Sequence, residues 1–199
     1  MIELELKAVV PDLARVRSHI EAQGARLVFS GRLEDSRYDH KNGSLTAQDL
    51  VLRLRVYRDA AGEIVSASLD WKGPSSVNKR YKQREEINAS LSNPETLAQI
   101  LDRLGLVVTM SIDRSIWQYE LHDAVVRFER YPRMDDLVEV EGSPETIEAA
   151  INALGLSRES FSTERLPDFA RRFETRTGQA AALSDGELAG LVRYDLGNA

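Results

Sequence analysis

Apolar and charged residues alternate at period two along several segments of the chain, and this alternation predicts β-strands with one apolar face. The clearest example opens the chain, where three apolar residues alternate with three charged ones: Ile2, Glu3, Leu4, Glu5, Leu6 and Lys7. Strands are predicted over 2–10, 25–31, 50–58, 64–72, 79–89, 107–121, 124–131 and 137–142. Turn-forming residues predict a loop over 38–46 and a tight turn at His122-Asp123.

Segments with helical periodicity lie between these strands. Helices are predicted over 12–23, 94–104 and 144–154, and a last one is capped by Ser162 or Thr163 and reaches about Thr175. Residues 177–199 are rich in glycine and are interpreted as a loose tail, with one short helix predicted at 184–187. We therefore expect an α+β fold built around an antiparallel sheet, with one domain over 1–176 and a tail over 177–199.

The charges on the predicted strands are sorted by sign. Two acidic pairs and one basic pair occupy alternate positions: Glu3/Glu5, Glu139/Glu141 and Arg53/Arg55. Two further strands have charges at the same spacing: Lys82, Arg84 and Glu86 on one, Arg127 and Glu129 on the other. The first pair alone is more typical of a solvated strand face. Sorted pairs on several strands favour a closed barrel, with the charges inside and helices covering the apolar outer faces.

Such an interior predicts a particular chemistry, because buried charges must be paired, hydrated or bound to metal. Carboxylates at alternate strand positions suit Mg²⁺ or Mn²⁺, which take oxygen ligands. Paired arginines suit phosphate, since guanidinium groups donate two parallel hydrogen bonds and stay charged. The combination points to a metal-bound polyphosphate.

Composition excludes several other functions. Lys and Arg number 26 against 32 Asp and Glu, a formal net charge of −6, which argues against broad nucleic-acid binding. The chain has no cysteine, so it has neither disulfides nor thiolate metal sites nor a cysteine nucleophile. No apolar run approaches 18 residues, and no secretory signal is recognisable. We expect a cytoplasmic monomer or homodimer that binds no membrane.

The opening motif Glu3-x-Glu5-x-Lys7 resembles the signature of the CYTH domain, or triphosphate tunnel metalloenzyme superfamily. That superfamily includes class IV adenylyl cyclases, thiamine triphosphatases and inorganic triphosphatases. Four more motifs follow in the family's order: Leu52-Arg53-Leu54-Arg55, Asp70-Trp71-Lys72-Gly73-Pro74, Arg84-Glu85-Glu86 and Val138-Glu139-Val140-Glu141. The resemblance covers about residues 1–170 and implies an eight-stranded antiparallel tunnel.

The resemblance also implies roles for individual residues. Divalent metal, Mg²⁺ or Mn²⁺, would be held by carboxylates: Glu3, Glu5, Glu139 and Glu141, assisted by Glu86 or Glu129. The triphosphate would be bound by cations: Lys7, Arg53, Arg55, Lys72, Lys82, Arg84, Arg114 and Arg127. Lys7, Lys72 and Glu129 are the candidate catalytic residues, although both lysines are more simply electrostatic contacts of the phosphates. We interpret Arg165 as solvated, and Trp71 and Trp117 as wall or core residues.

Two departures from the family pattern affect the expected reaction. Ile112 occupies a position that often holds lysine, and Glu129 stands where Asp is common. No His-Phe pair precedes Glu3, which disfavours the cyclases. We therefore favour a metal-dependent triphosphatase that hydrolyses inorganic or organic triphosphates, with inorganic triphosphate, thiamine triphosphate or ATP as the substrate. The alternatives are a class IV cyclase that converts ATP to cyclic AMP and pyrophosphate, and a non-catalytic binder of nucleotide or polyphosphate.

Overall fold

A computed structural model describes residues 2–78 and 80–194, except for the side chains of Ile2, Glu3 and Asn78. The described strands are β1 Ile2–Val9, β2 Arg26–His40, β3 Val51–Arg58, β4 Ile64–Lys72, β5 Ser76–Asn78, β6 Tyr81–Ser90, β7 Leu106–Leu121, β8 Ala124–Arg130 and β9 Leu137–Glu141. The described α-helices are α1 Leu13–Ala22, α2 Pro94–Arg103, α3 Pro144–Leu154, α4 Leu166–Thr177 and α5 Asp185–Leu188.

Eight of the strands form a closed antiparallel barrel. Their order is β1-β9-β8-β7-β2-β3-β4-β6, and pairing of β6 with β1 closes the ring. The closing seam runs from Ile2 opposite Glu85 to Glu5 opposite Lys82. The short β5 is a ninth strand that pairs with β6. The predicted fold class, an α+β fold with a closed eight-stranded barrel and helices packed outside, is confirmed.

Helices cover the apolar outer faces of the strands. The cluster around α1 and α3 includes several side chains at most 1% exposed: Leu6, Ile20, Phe128, Val140 and Ile151. A second cluster lies at α2: Tyr38, Leu54, Leu101 and Leu106. Because successive residues of a strand alternate between faces, burying these residues outside directs their charged neighbours into the barrel.

Apolar residues close one end of the barrel. Ile112 shares a strand face with Arg114, and Leu137 shares one with Glu139, so both apolar side chains point inward. α4 and the segment after it pack against them, burying Leu166, Phe169, Ala170, Ala181 and Leu183. The interior therefore ends against α4 on this side.

The second strand is longer than its sequence pattern predicts. The predicted strand over 25–31 is confirmed from Arg26, but it ends too early. The loop predicted over 38–46 is wrong for 38–40, because β2 continues to His40 and pairs with both β3 and β7. Asp35 lies inside the barrel and is 2% exposed. The outward residues of this stretch, Arg32, Glu34 and Ser36, are polar as well, so it lacks the apolar alternation by which strands are recognised.

The last long helix begins later than predicted. Its N-cap is Arg165, whose backbone N–H donates to Asp168 at 2.9 Å, and Pro167 occupies the first turn. The predicted cap at Ser162 or Thr163 was therefore wrong. Ser162 instead exchanges two backbone hydrogen bonds with Lys7, at 2.8 and 3.0 Å, and so continues the edge of β1.

The predicted loose tail was wrong for residues 181–188. Leu183 is 1% exposed, and its carbonyl accepts from the Asp113 N–H at 2.8 Å. The short helix predicted there is confirmed as α5, whose first turn is capped by Ser184. None of the helices that the structure describes is long and apolar enough to cross a lipid bilayer.

Candidate active site

A cavity of about 450 Å³ lies inside the barrel, and its described lining includes ten basic and eight acidic residues. All eight predicted triphosphate contacts line it: Lys7, Arg53, Arg55, Lys72, Lys82, Arg84, Arg114 and Arg127. Five predicted metal ligands line it as well: Glu5, Glu86, Glu129, Glu139 and Glu141. The sixth, Glu3, is on β1, but its side chain lies outside the described part of the structure.

Three carboxylates form the acidic part of this cavity. Glu5 on β1 and Glu139 and Glu141 on β9 each offer an oxygen within 4.8 Å of the others. The strands bring them together because Glu5 lies opposite Glu141 across the β1–β9 pair. Oxygen ligands grouped in this way match the donor set that Mg²⁺ and Mn²⁺ prefer.

Cations hold two of these carboxylates, Glu5 and Glu139, ionised. Lys7 contacts Glu139 and lies 3.2 Å from Glu5, and Arg127 contacts Glu139 and donates to Glu141 at 3.1 Å. Burial alone would raise the pKa of Glu139, but Arg127 and Lys7 hold that pKa well below its usual range. Burial would likewise lower the pKa of Lys7, yet the carboxylates of Glu139 and Glu5 raise it above its ordinary value. Lys7 therefore stays protonated at neutral pH.

Lys82 is the second amine in the acidic part. It contacts the Glu5 carboxylate from β6, across the closing seam. Burial and the nearby charge of Lys7 lower the pKa of Lys82, although Glu5 opposes them.

Asp35 organises three arginines on the opposite side of the cavity. It accepts from Arg55 Nε at 2.8 Å and from Arg114 Nη1 at 2.9 Å, and Arg53 lies 3.6 Å away. Burial would raise the pKa of Asp35, but Arg55, Arg53 and Arg114 hold it well below its ordinary value. Arg53 and Arg114 each have a second carboxylate partner, Asp70 and Glu129 respectively. With Arg37 on the same strand as Asp35, the region holds one more cation than anion.

Glu129 links the two regions. It accepts from Arg114 at 2.9 Å, from Arg127 at 3.2 Å, and from the Tyr131 hydroxyl. Its pKa is lowered, because Arg114 and Arg127 outweigh the effect of burial. Glu129 lies in the cavity but outside the group of three carboxylates that could hold a metal ion.

Further ion pairs fix Arg53 and Lys72. Arg53 donates to Asp70 at 2.8 Å, and Asp70 also accepts from Ser68. Lys72 contacts Glu86 across the β4–β6 pair. These contacts hold the side chains extended into the cavity before any ligand arrives.

Asp49 joins four segments at the end of the barrel near α4. It has a left-handed backbone with φ of 54°, and its carboxylate accepts from the backbone N–H and hydroxyl of Ser75 at 2.7 and 2.8 Å. Arg84 donates to it at 3.1 Å, and Arg165 lies within 3.1 Å. Arg165 also lines the cavity, so our interpretation of it as solvated was incomplete.

The sequence interpretation missed four charged residues of the cavity: Asp35, Arg37, Asp49 and Asp70. Asp35 and Arg37 stand at alternate positions of β2, so the same period-two rule would have found them if that strand had been recognised. Asp70 likewise alternates with Lys72 on β4. Asp49 lies in a loop, where no periodicity points to it.

Aromatic side chains contribute little free surface to the described lining. Neither Trp71 nor Trp117 is among the residues that line the cavity. Tyr57 lines it but packs edge-to-face on Phe29 and accepts a hydrogen bond from Arg55, and Tyr131 donates to Glu129.

Comparison with known proteins supplies an independent line of evidence. The sequence profile of the CYTH domain matches residues 1–179. A protein of Methanocaldococcus jannaschii, named as a candidate adenylate cyclase, is 29% identical over 105 residues. The match covers 53% of this chain and 56% of that protein, so the chain spans about half the length of this curated relative.

Solved structures share the fold. A candidate adenylate cyclase of Vibrio parahaemolyticus superposes with a TM-score of 0.72 at 16% identity, covering 85% of this chain and 97% of that one. A candidate adenylyl cyclase from Hippeastrum, described as having a dominant triphosphatase activity, superposes with a TM-score of 0.61 at 16% identity, covering 92% of this chain and 98% of that one. At these identities the likeness shows the fold alone.

Proposed function

Because this chain belongs to the CYTH domain family, we propose that it is a divalent-metal-dependent triphosphatase that hydrolyses inorganic or organic triphosphates inside its barrel. The observation that carries this proposal is the juxtaposition of two regions of opposite charge in one cavity. Glu5, Glu139 and Glu141 form the acidic region, and the arginines around Asp35 form the basic one.

The acidic region fits a metal ion by its chemistry. Glu5, Glu139 and Glu141 would hold Mg²⁺ or Mn²⁺, and lowered pKa values keep Glu5 and Glu139 ionised at neutral pH. Once bound, such an ion neutralises phosphate charge and activates a water molecule. Glu86 and Glu129 remain predicted assisting ligands.

The basic region binds and orients the phosphates. Arg53, Arg55 and Arg114 present donors whose direction is fixed by Asp35, so little ordering is needed when the substrate binds. Their charge stabilises the negative charge that develops on the leaving phosphate. Lys7, which stays protonated at neutral pH, acts as an electrostatic contact rather than as a base. Lys72, Lys82, Arg84 and Arg127 complete the proposed phosphate contacts.

The limited aromatic surface of the cavity supports hydrolysis over cyclisation. A cyclase must hold adenine while the ribose hydroxyl attacks, and aromatic stacking is a common way to do so. Here Tyr57 and Tyr131 already make contacts within the wall. The Hippeastrum protein of the same fold, described as having a dominant triphosphatase activity, supports this preference.

The cyclase remains the second candidate, because the Methanocaldococcus jannaschii and Vibrio parahaemolyticus proteins are named as candidate adenylate cyclases. Incubation of the protein with Mg²⁺ or Mn²⁺ and inorganic triphosphate, thiamine triphosphate or ATP separates the possibilities. Release of orthophosphate supports the triphosphatase, and cyclic AMP with pyrophosphate supports the cyclase. Binding without either product would leave only a non-catalytic binder.

A further inference from the structure

Arg37 differs from the other arginines of the cavity because it forms no ion pair with the described carboxylates. It lies on β2 two positions after Asp35, and both side chains line the cavity. Its Nε is buried and has no hydrogen-bond partner, and among the described residues its guanidinium forms no ion pair. A buried polar group without a partner costs free energy that the fold must recover elsewhere.

The surroundings of Arg37 make this cost larger. Arg37 lies directly opposite Arg53 in the β2–β3 pair, and like charges in that relation destabilise a sheet. Arg53 has Asp70 as a partner, whereas Arg37 has no carboxylate of its own. Burial and the charges of Arg53, Arg84 and Arg114 lower the pKa of Arg37 to about 10, although the nearby charge of Asp35 opposes them. Arg37 therefore presents to the cavity a guanidinium group that no described carboxylate pairs with.

The position of Arg37 along the barrel identifies which part of a ligand it would meet. On β7 its neighbour is Met110, one of the residues that close the end of the barrel near α4. The three carboxylates Glu5, Glu139 and Glu141 lie on β1 and β9, away from β2 in the strand order. A chain of phosphates that extends from those carboxylates toward α4 would place its last phosphate beside Arg37.

We propose that Arg37 is a substrate-binding residue that holds the terminal phosphate of the triphosphate at the closed end of the barrel. The proposal rests on the proposed function, since it assumes a triphosphate in this cavity. It adds a residue for which no motif in the sequence gave a signal. It also assigns the end of the barrel near α4 to the phosphate terminus, and therefore the opposite end to any organic group of the substrate.

The test is calorimetric titration with inorganic triphosphate in EDTA, where metal-dependent turnover is absent. Arg37→Gln is expected to weaken binding about tenfold or more, since one charge-assisted contact is lost. Arg37→Lys should retain an intermediate affinity. Arg26→Gln is the matched control, because Arg26 lies on the same strand, outside the cavity, with a side chain 66% exposed.

Thermal unfolding without ligand separates a binding role from a structural one. Removing an unpaired cation should leave the midpoint of Arg37→Gln unchanged or raise it, whereas a structural arginine would lower it. If Arg37→Gln binds triphosphate with the same affinity as the wild-type protein, the proposal for Arg37 is overturned, while the proposed function is not. If the wild-type protein neither binds triphosphate in EDTA nor hydrolyses it with Mg²⁺ or Mn²⁺, the proposed function is overturned together with the proposal for Arg37. If it hydrolyses triphosphate but binds it only with metal, an unchanged KM in Arg37→Gln overturns the proposal for Arg37.

Discussion

Replacement of Asp35 by Asn is the sharpest test of how the basic region is built. Asp35 is 2% exposed and contacts Arg53, Arg55 and Arg114. The substitution keeps the size of the side chain but leaves three buried guanidinium groups without their shared carboxylate. Removing one partner of a buried ion pair typically costs about 3–5 kcal/mol. For a chain of this length that corresponds to a fall in the unfolding midpoint of about 6–20 °C.

Equilibrium unfolding in urea at pH 7 measures this cost, with Asp123→Asn as the matched control. Asp123 is exposed in a turn with φ of 59°, a conformation that Asn adopts readily. A loss below about 1 kcal/mol for Asp35→Asn, equal to that of the control, would refute the buried network. Added inorganic triphosphate should stabilise the Asp35→Asn variant more than the wild type, because an anion then replaces the missing carboxylate.

The stability difference between the wild-type protein and Asp35→Asn should depend on pH. The folded-state pKa of Asp35 is held well below its ordinary value by Arg55, Arg53 and Arg114, despite burial. Its contribution to stability is therefore complete above the unfolded-state pKa of about 3.9 and is lost as the pH falls through the folded-state value. The difference between wild type and variant should be constant from pH 6 to 8 and shrink only below about pH 4. A difference that shrinks near pH 6 would contradict the assigned cause.

Three further predictions concern other parts of the molecule. Lys7→Ala should reduce turnover to background while circular dichroism shows an unchanged fold. Substantial residual turnover would show that Lys7 is not needed for the reaction. Asp49→Asn keeps a residue suited to the left-handed backbone and should lower the free energy of unfolding by about 1 kcal/mol, because the contact with Arg165 is partly exposed. An unchanged unfolding midpoint would mean that this contact does not hold α4. Leu183→Ala should cost about 2–5 kcal/mol, whereas Leu191→Ala, at a position 84% exposed, should cost almost nothing; equal effects would contradict the packing of the segment after α4.

The barrel could be predicted from the sequence because its charges are sorted on strands that also have clear apolar faces. Glu5, Arg53 and Glu139 each alternate with residues that are buried against the outer helices, so period two identifies both the strand and its inward face. The prediction failed for the second half of β2, where Asp35 and Arg37 sit among other polar residues. There the strand is held by pairing with neighbours on both sides, which local pattern does not reveal.

Tertiary packing also determines the structure of the segment after α4. Small residues and glycines around Leu183 favour a loop by local pattern, yet the segment is buried because it covers the inward apolar residues of β7 and β9. Ile112, inside the barrel, is one of the apolar residues that this segment and α4 cover. It departs from the family's lysine, and the structure places it in the apolar cluster that closes the end near α4.

Phosphorus NMR of the reaction with inorganic triphosphate and Mg²⁺ tests the central claim most directly. The wild-type protein and Glu63→Gln, an exposed glutamate in the turn between β3 and β4, should both convert triphosphate to pyrophosphate and orthophosphate. Glu139→Gln should abolish this conversion, because it removes one of the three grouped carboxylates. Unchanged hydrolysis by Glu139→Gln, or no hydrolysis by the wild-type protein with either Mg²⁺ or Mn²⁺, would contradict a metal-dependent triphosphatase in this barrel.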